Sequence, residues 1–85
     1  MMDARLKEAR DYVRGIITHK DFDNLVSSLF LTSVERDVAI RIYKRNEPQT
    51  FIADNIGYSV QYVKIANKRF LMKVYKYLKE YEERD

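Results

Sequence analysis

The sequence has no cysteine, no tryptophan, one histidine, one proline and two glycines. Without cysteine, disulfides, thiolate nucleophiles and the common zinc-finger ligand sets are excluded. One histidine without a recognisable carboxylate or phosphate-loop constellation makes an enzyme the weakest functional class, and we expect no metal or other cofactor. Because glycine and proline are scarce and apolar residues recur at intervals of three and four, the sequence predicts helices rather than strands.

Long apolar runs are missing as well. The chain has no stretch of about eighteen apolar residues, so we expect no membrane span. It does not begin with the basic segment, apolar segment and small residues of a signal peptide, so we expect no secretory peptide. We therefore expect a cytoplasmic protein with no membrane partner. With 85 residues, 46% of them hydrophobic, the chain suffices for one compact all-α domain of five helices over residues 1–85.

The first two predicted helices form an N-terminal helical extension, residues 1–31. We expect the first helix from about Asp3 to Thr18, with Asp3 as its N-cap and Gly15 weakening it from inside. Asp21 or Asp23 is expected to cap the second helix. The predicted apolar faces are Leu6, Ala9, Val13, Ile16 and Ile17 in the first helix, and Phe22, Leu25, Val26, Leu29 and Phe30 in the second.

A capping box opens the third predicted helix. The Thr32 hydroxyl is expected to accept the backbone N–H of Glu35, and the Glu35 carboxylate is expected to accept the backbone N–H of Thr32. The helix is expected to run to about Arg45, where Asn46 and Pro48 end it. Its predicted buried stripe is Val34, Val38, Ile42 and either Ala39 or Tyr43.

A helix-turn-helix is predicted in residues 49–68. Ala53 is the small residue where the two helices cross, and Gly57 ends the first of them in the left-handed conformation that glycine adopts without steric cost. Ser59 is the expected N-cap of the second helix, and Val63 is its first buried anchor. The shared apolar set is completed by Ile52, Ile56, Val60 and Ala66.

The fifth helix, predicted from Ser59 to about Glu82, carries an unbroken run of positive charge. No acidic residue occurs from Gly57 to Lys79, whereas acidic and basic residues balance before Gly57. Such a run beside a helix-turn-helix suits a polyanion such as the DNA backbone, although the run alone is typical of a solvated face. The basic residues are Lys64, Lys68, Arg69, Lys73, Lys76 and Lys79. The predicted apolar stripe is Val63, Ala66, Phe70, Val74, Tyr77 and Tyr81, with Leu71 and Leu78 on its flank.

The opposite face of this long C-terminal helix is the predicted DNA-binding surface. A major groove admits one α-helix, whose early side chains reach the base edges. Gln61 is suited to adenine, Lys64 to guanine, and Ile65 to a thymine methyl group. Tyr62 and Lys68 border these residues and are expected at phosphates or sugars. The face as a whole comprises Gln61, Lys64, Ile65, Lys68, Met72 and Lys79.

From Leu31 to about Leu78 the sequence resembles the fourth conserved region of bacterial sigma factors and the related small phage and mobile-element regulators. The shared features are the Leu-Thr-x-x-Glu-Arg opening, the Ile-Ala-x-x-Ile-Gly-x-Ser core and the Val-x-x-Val-Lys start of the recognition helix. The resemblance implies a sigma region 4-like part over residues 32–82. It also implies contact with RNA polymerase and a promoter-reading recognition helix that begins at Val60, with Gln61, Lys64 and Ile65 as its reading residues.

The sequence departs from the sigma pattern in two places. Asn46-Glu47-Pro48 replaces the glycine-rich entry to the first motif helix, and the base-reading positions are less rich in arginine. Because no other sigma region fits in 85 residues, we do not expect a complete sigma factor.

The sequence therefore predicts a transcriptional regulator that binds double-stranded DNA with its fifth helix. The alternative is a sigma-like protein-interaction module that binds RNA polymerase or another regulator without specific DNA reading. A homodimer is a further expectation, since a two-fold pair reads two half-sites. The tyrosine-rich end, Tyr75, Tyr77 and Tyr81, is either the dimer contact or the seat of the first two helices. For Ile65 and Met72, burial is the alternative to DNA contact.

Overall fold

The computed structural model describes the backbone of residues 3–16 and 18–83, and the side chains as far as residue 80. These residues fold into five α-helices without a strand, which confirms the predicted all-α, five-helix fold. No helix in this part of the chain combines the length and apolarity required to cross a membrane. Ile17 and the Tyr81 side chain, both predicted on apolar faces, lie outside the described residues. The helices are α1 (Ala4–Arg14), α2 (His19–Ser28), α3 (Ser33–Ala39), α4 (Gln49–Ile56) and α5 (Val60–Glu83), and a π-helical turn (Ile40–Lys44) continues α3.

The chain divides into two units, and α5 contributes to both. The first unit contains the described residues up to Phe30 and those from Leu71 onward, which are α1, α2 and the second half of α5. The second unit, Leu31–Phe70, contains α3, α4 and the first half of α5. The buried apolar residues of the first unit are Leu6, Ala9, Val13, Phe22, Leu25, Val26, Leu29, Leu71 and Val74.

In the first unit, α1 begins where the sequence predicts and ends earlier. The Asp3 carboxylate accepts a hydrogen bond from the Arg5 backbone N–H at 2.8 Å, so Asp3 is confirmed as the N-cap. The prediction that Gly15 lies inside the helix is wrong, because α1 ends at Arg14 and Gly15 is its C-cap. Glycine stabilises a helix interior poorly and therefore ends a helix at little cost.

The predicted start of α2 is also wrong. The N-cap is Thr18 rather than Asp21 or Asp23, and its Oγ1 accepts a hydrogen bond from the Asp21 N–H at 3.1 Å. The helix thus begins earlier than predicted, and Asp21 lies in its first turn. A carboxylate is favourable there because the N-terminal end of a helix dipole is positive.

Phe30 was predicted on the apolar face of the second helix, and this prediction is wrong. The helix ends at Ser28, and Leu29 takes an extended conformation as its C-cap. Successive side chains of extended backbone point to opposite sides, so Leu29 is buried while Phe30 is 97% exposed.

In the second unit, the predicted capping box opens α3. The Thr32 Oγ1 accepts the Glu35 N–H at 3.2 Å, and the Glu35 Oε1 accepts the Thr32 N–H at 3.1 Å. The last turn before Arg45 is π-helical, with the Arg45 N–H bonded to the Ile40 carbonyl oxygen at 3.1 Å. Asn46 then adopts a left-handed φ of 56°, which ends the helix as predicted.

Candidate nucleic-acid interface

The turn between α4 and α5 has the predicted glycine and serine geometry. Gly57 has a φ of 79°, and its N–H donates to the Ala53 carbonyl oxygen at 3.0 Å. The Tyr58 N–H donates to the same oxygen at 3.1 Å. Ser59 caps α5, since its Oγ accepts a hydrogen bond from the Tyr62 N–H at 3.1 Å. These bonds satisfy backbone groups that the two helix ends would otherwise leave unpaired.

Behind this turn lies the apolar core that holds the beginning of α5. Ala53 and Val63, the predicted crossing residue and anchor, are both buried in it. The α3 residue Val38 is buried in the same cluster, so three helices share one core. The other buried members are Ile52 and Ala66, and the half-buried Val34, Ile42, Ile56 and Val60 pack against them. The predicted apolar set of the helix-turn-helix is therefore brought together.

Four of the predicted DNA-binding residues share an exposed face at the start of α5. Lys64 and Ile65 lie three and four residues after Gln61, and Lys68 lies four residues after Lys64, which places all four on one side of a helix. All four are exposed, and for Ile65 the exposed fraction is 39%. The alternative that Ile65 is buried against another helix of this chain is therefore wrong. We call this group the α5 head face.

Val60 and Tyr62 differ from the α5 head face in their surroundings. Val60 is half-buried and packs against the core cluster, so most of its side chain is engaged within the protein. Tyr62 is 37% exposed, and its ring stacks on that of Tyr58, with ring centroids 4.4 Å apart and ring planes 19° apart.

Further along α5, the predicted DNA-facing surface is engaged in contacts within the first unit. The Lys79 ammonium group lies 3.2 Å from a Glu8 carboxylate oxygen and 5.2 Å from the centre of the Tyr75 ring. Met72 is half-buried, in keeping with the alternative given for it. The exposed part of the predicted surface is therefore confined to the first turns of the helix.

In the second unit, the basic side chains in the first half of α5 have no acidic partners among the described residues. Arg41 binds Asp37 at 3.1 Å and Glu47 at 3.3 Å, so both carboxylates are paired with a basic side chain outside α5. The hydrogen bond from Arg41 to Asp37 raises the pKa of this guanidinium, which therefore stays charged. In the described part of the chain, no ion pair is formed by Lys64, Lys68 or Arg69.

Two exposed aromatic residues of the second unit were not singled out from the sequence. Tyr58, beside the helix-capping Ser59, is 48% exposed and stacks on Tyr62. Phe51 on α4 is 51% exposed. Helical periodicity does not predict the exposure of Tyr58, because Tyr58 lies in the turn between α4 and α5, directly after the left-handed Gly57. Its spacing of four from Tyr62 is the one sequence signal that relates the two rings.

Among the described residues, no three acidic or histidine side chains gather as a metal site requires. No protein-family model, curated protein or solved structure matches the chain.

Proposed function

We propose that this chain is a transcriptional regulator that inserts the first turns of α5 into the major groove of double-stranded DNA. The observation that carries the proposal is the α5 head face, which is exposed and positively charged while the other side of the same turns is fixed in the core. A reading helix must be held rigidly by the protein and yet present a polar ridge to solvent. Buried Val63 and Ala66 meet the first requirement, and the α5 head face meets the second.

Each residue of the α5 head face has a role that follows from its chemistry. The Gln61 amide donates and accepts, which matches the N6 and N7 edge of adenine. The Lys64 ammonium group is a donor for guanine O6 or N7, and the exposed methyl groups of Ile65 suit a thymine methyl. Lys68 lies one turn beyond Lys64 and reaches the phosphate backbone, which positions the helix without reading sequence.

The charge distribution of the second unit supports a polyanionic partner. Lys64, Lys68 and Arg69 pair with no acidic side chain of the described chain, so their contacts with phosphates break no internal ion pair. Neutralising phosphates releases condensed counterions, which supplies affinity that falls steeply as salt rises. Tyr62, held against Tyr58 by ring stacking, adds a hydroxyl donor for a phosphate or sugar oxygen.

The sigma region 4-like pattern between Leu31 and Leu78 narrows the proposed class to small phage or mobile-element regulators. Such a regulator acts in the cytoplasm, where it meets both DNA and RNA polymerase. The support is that residues of this pattern form the helix cap and the turn that the pattern implies. Thr32 and Glu35 form the capping box of the opening motif, and Gly57 and Ser59 form the turn of the core motif.

The test is selection from a random duplex library with the full chain, followed by titration of the selected duplex at several salt concentrations. We expect an enriched site, and Gln61→Ala or Lys64→Ala should reduce discrimination at one position by about 1–3 kcal/mol. Binding without an enriched site would disprove sequence-specific reading. No duplex binding at low salt would disprove the DNA-binding proposal itself.

A second candidate function is a protein-interaction module that binds RNA polymerase or another regulator. It is favoured by the exposed apolar side chains of the second unit, since aromatic residues are enriched in protein interfaces. The exposed residues concerned are Phe51, Tyr58, Tyr62 and Ile65. Co-purification with polymerase after nuclease treatment, with no duplex binding at moderate salt, would favour this function over DNA reading.

A further inference from the structure

Phe30 is an apolar side chain that its own chain leaves in water. It is 97% exposed, more than any other large apolar side chain in the described part of the protein. A lone exposed apolar residue is ordinary on a protein surface, but one of this size beside an apolar groove indicates a contact site. Phe30 has such a groove next to it.

The groove lies between the end of α2 and the second half of α5, entirely within the first unit. Its volume is about 330 Å³, and it is mostly apolar. The Lys73 ammonium group donates to the Phe30 carbonyl oxygen at 2.8 Å, which fixes the backbone at one end of the groove. The residues that define this Phe30 groove are Leu29, Phe30, Lys73, Lys76, Tyr77 and Glu80.

The Phe30 groove has the properties of a self-complementary surface. It carries a projecting ring and a cavity side by side, so two copies related by a two-fold axis can each place a ring in the other's cavity. Its exposed charges, Lys76 and Glu80, are opposite in sign and one helical turn apart. Neither is paired with a described residue.

Antiparallel packing of two α5 helices can pair all four of these charges. A two-fold axis near residue 78 places Lys76 of each copy opposite Glu80 of the other, which gives two ion pairs across one contact. We propose that the Phe30 groove is the surface through which two copies of this chain form a two-fold symmetric dimer. The two Phe30 rings are the apolar anchors of this dimer, and the Lys76 and Glu80 pairs set its register.

This dimer does not depend on the proposed DNA binding, so its test uses the free chain alone. Sedimentation equilibrium of the full chain should cover about 10 µM to 1 mM, because small interfaces give weak dimers. We expect dimer formation within this range. Phe30→Ala should raise the dissociation constant about tenfold or more, since a buried aromatic anchor carries much of the energy of an interface.

Phe51→Ala is the matched control, because Phe51 is an exposed phenylalanine on α4, outside the Phe30 groove. It should leave the dissociation constant unchanged. The register is tested by charge reversal: Lys76→Glu and Glu80→Lys should each weaken the dimer by bringing like charges together. The double reversal restores both ion pairs and should return the dissociation constant to within about threefold of the original.

Chemical shifts of the unmodified chain provide a readout that does not depend on how the variants fold. With rising concentration, amide shifts should change at residues 29–30 and 73–80 and remain constant in α4. A monomer throughout the range would overturn the proposal and leave the groove to a different partner. Equal effects of Phe30→Ala and Phe51→Ala on the dissociation constant would also overturn it. So would a double charge-reversal variant whose dimer is no tighter than those of the single variants, or chemical-shift changes confined to other residues.

Discussion

The Tyr43 hydroxyl donates a hydrogen bond to the Asn67 side-chain oxygen across 2.6 Å, which ties the π-helical turn after α3 to α5. The Tyr43 ring also packs against Phe70, with ring centroids 5.6 Å apart. Asn67 immediately precedes Lys68 of the α5 head face. The contact therefore fixes the rotation of α5 in the second unit, and with it the direction of that face.

Replacing this tyrosine should weaken the second unit measurably. Tyr43→Phe removes the hydroxyl and leaves a partly buried Asn67 oxygen without this donor, so we expect a loss of about 0.5–1.5 kcal/mol in the free energy of unfolding. Urea denaturation measures it. Tyr12→Phe, at an exposed tyrosine on α1, is the control and should change stability by less than about 0.5 kcal/mol. Equal effects of the two substitutions would refute this role for the Tyr43 hydroxyl.

The turn glycine should resist substitution for a purely conformational reason. A Cβ at Gly57 would meet no heavy atom within 4 Å, but its φ of 79° is unfavourable for residues that have a Cβ. Gly57→Ala should therefore cost about 1–2 kcal/mol, measured by thermal or urea unfolding. Gly57→Asn should cost less, because asparagine tolerates the left-handed region. An alanine variant as stable as the asparagine variant would contradict this explanation.

Two isoleucines of the helix-turn-helix should separate stability from binding. Ile52 is fully buried, and Ile52→Ala should reduce the free energy of unfolding by about 2–5 kcal/mol. Ile65 is exposed, so Ile65→Ala should change stability by less than about 0.5 kcal/mol. The same Ile65→Ala variant should weaken binding to the selected duplex. Normal duplex binding by Ile65→Ala would remove Ile65 from the proposed reading residues.

A lysine on the α5 head face should control the salt dependence of DNA binding. Lys68→Ala should weaken duplex binding for all sequences and reduce the slope of log K against log salt by about one, because one phosphate contact is lost. Lys7→Ala removes the same charge from an exposed position on α1 and should change the slope much less. Fluorescence anisotropy at four or more salt concentrations measures both slopes. Identical slopes for the two variants would indicate that only net charge matters.

Much of the second unit is determined by signals within a few residues of sequence. The capping box of Thr32 and Glu35, the left-handed Gly57 and the Ser59 cap each satisfy backbone groups of an adjacent turn. Such contacts depend little on distant parts of the chain, so the sequence alone predicts them. The apolar repeat of α5 likewise predicts which of its sides is buried, from Val63 to Val74.

Other features depend on a choice between local signals that the sequence leaves equivalent. Thr18, Asp21 and Asp23 are all good capping residues, and the choice of Thr18 sets the position of the whole of α2. The exposure of Phe30 follows from where that helix ends.

The α5 head face shows the same division between sequence and tertiary structure. Six basic residues without an intervening acidic residue predict a charged helix, but they do not reveal which of these charges remain unpaired in the folded protein. Lys73 binds the backbone of Phe30, 43 residues away, and Lys79 pairs with Glu8 on α1. The sequence by itself determined the five helices, the N-caps at Asp3, Thr32 and Ser59, and the positive charge of α5. The tertiary structure decided where that charge is free, because ion pairing depends on distances in space that residue spacing does not fix.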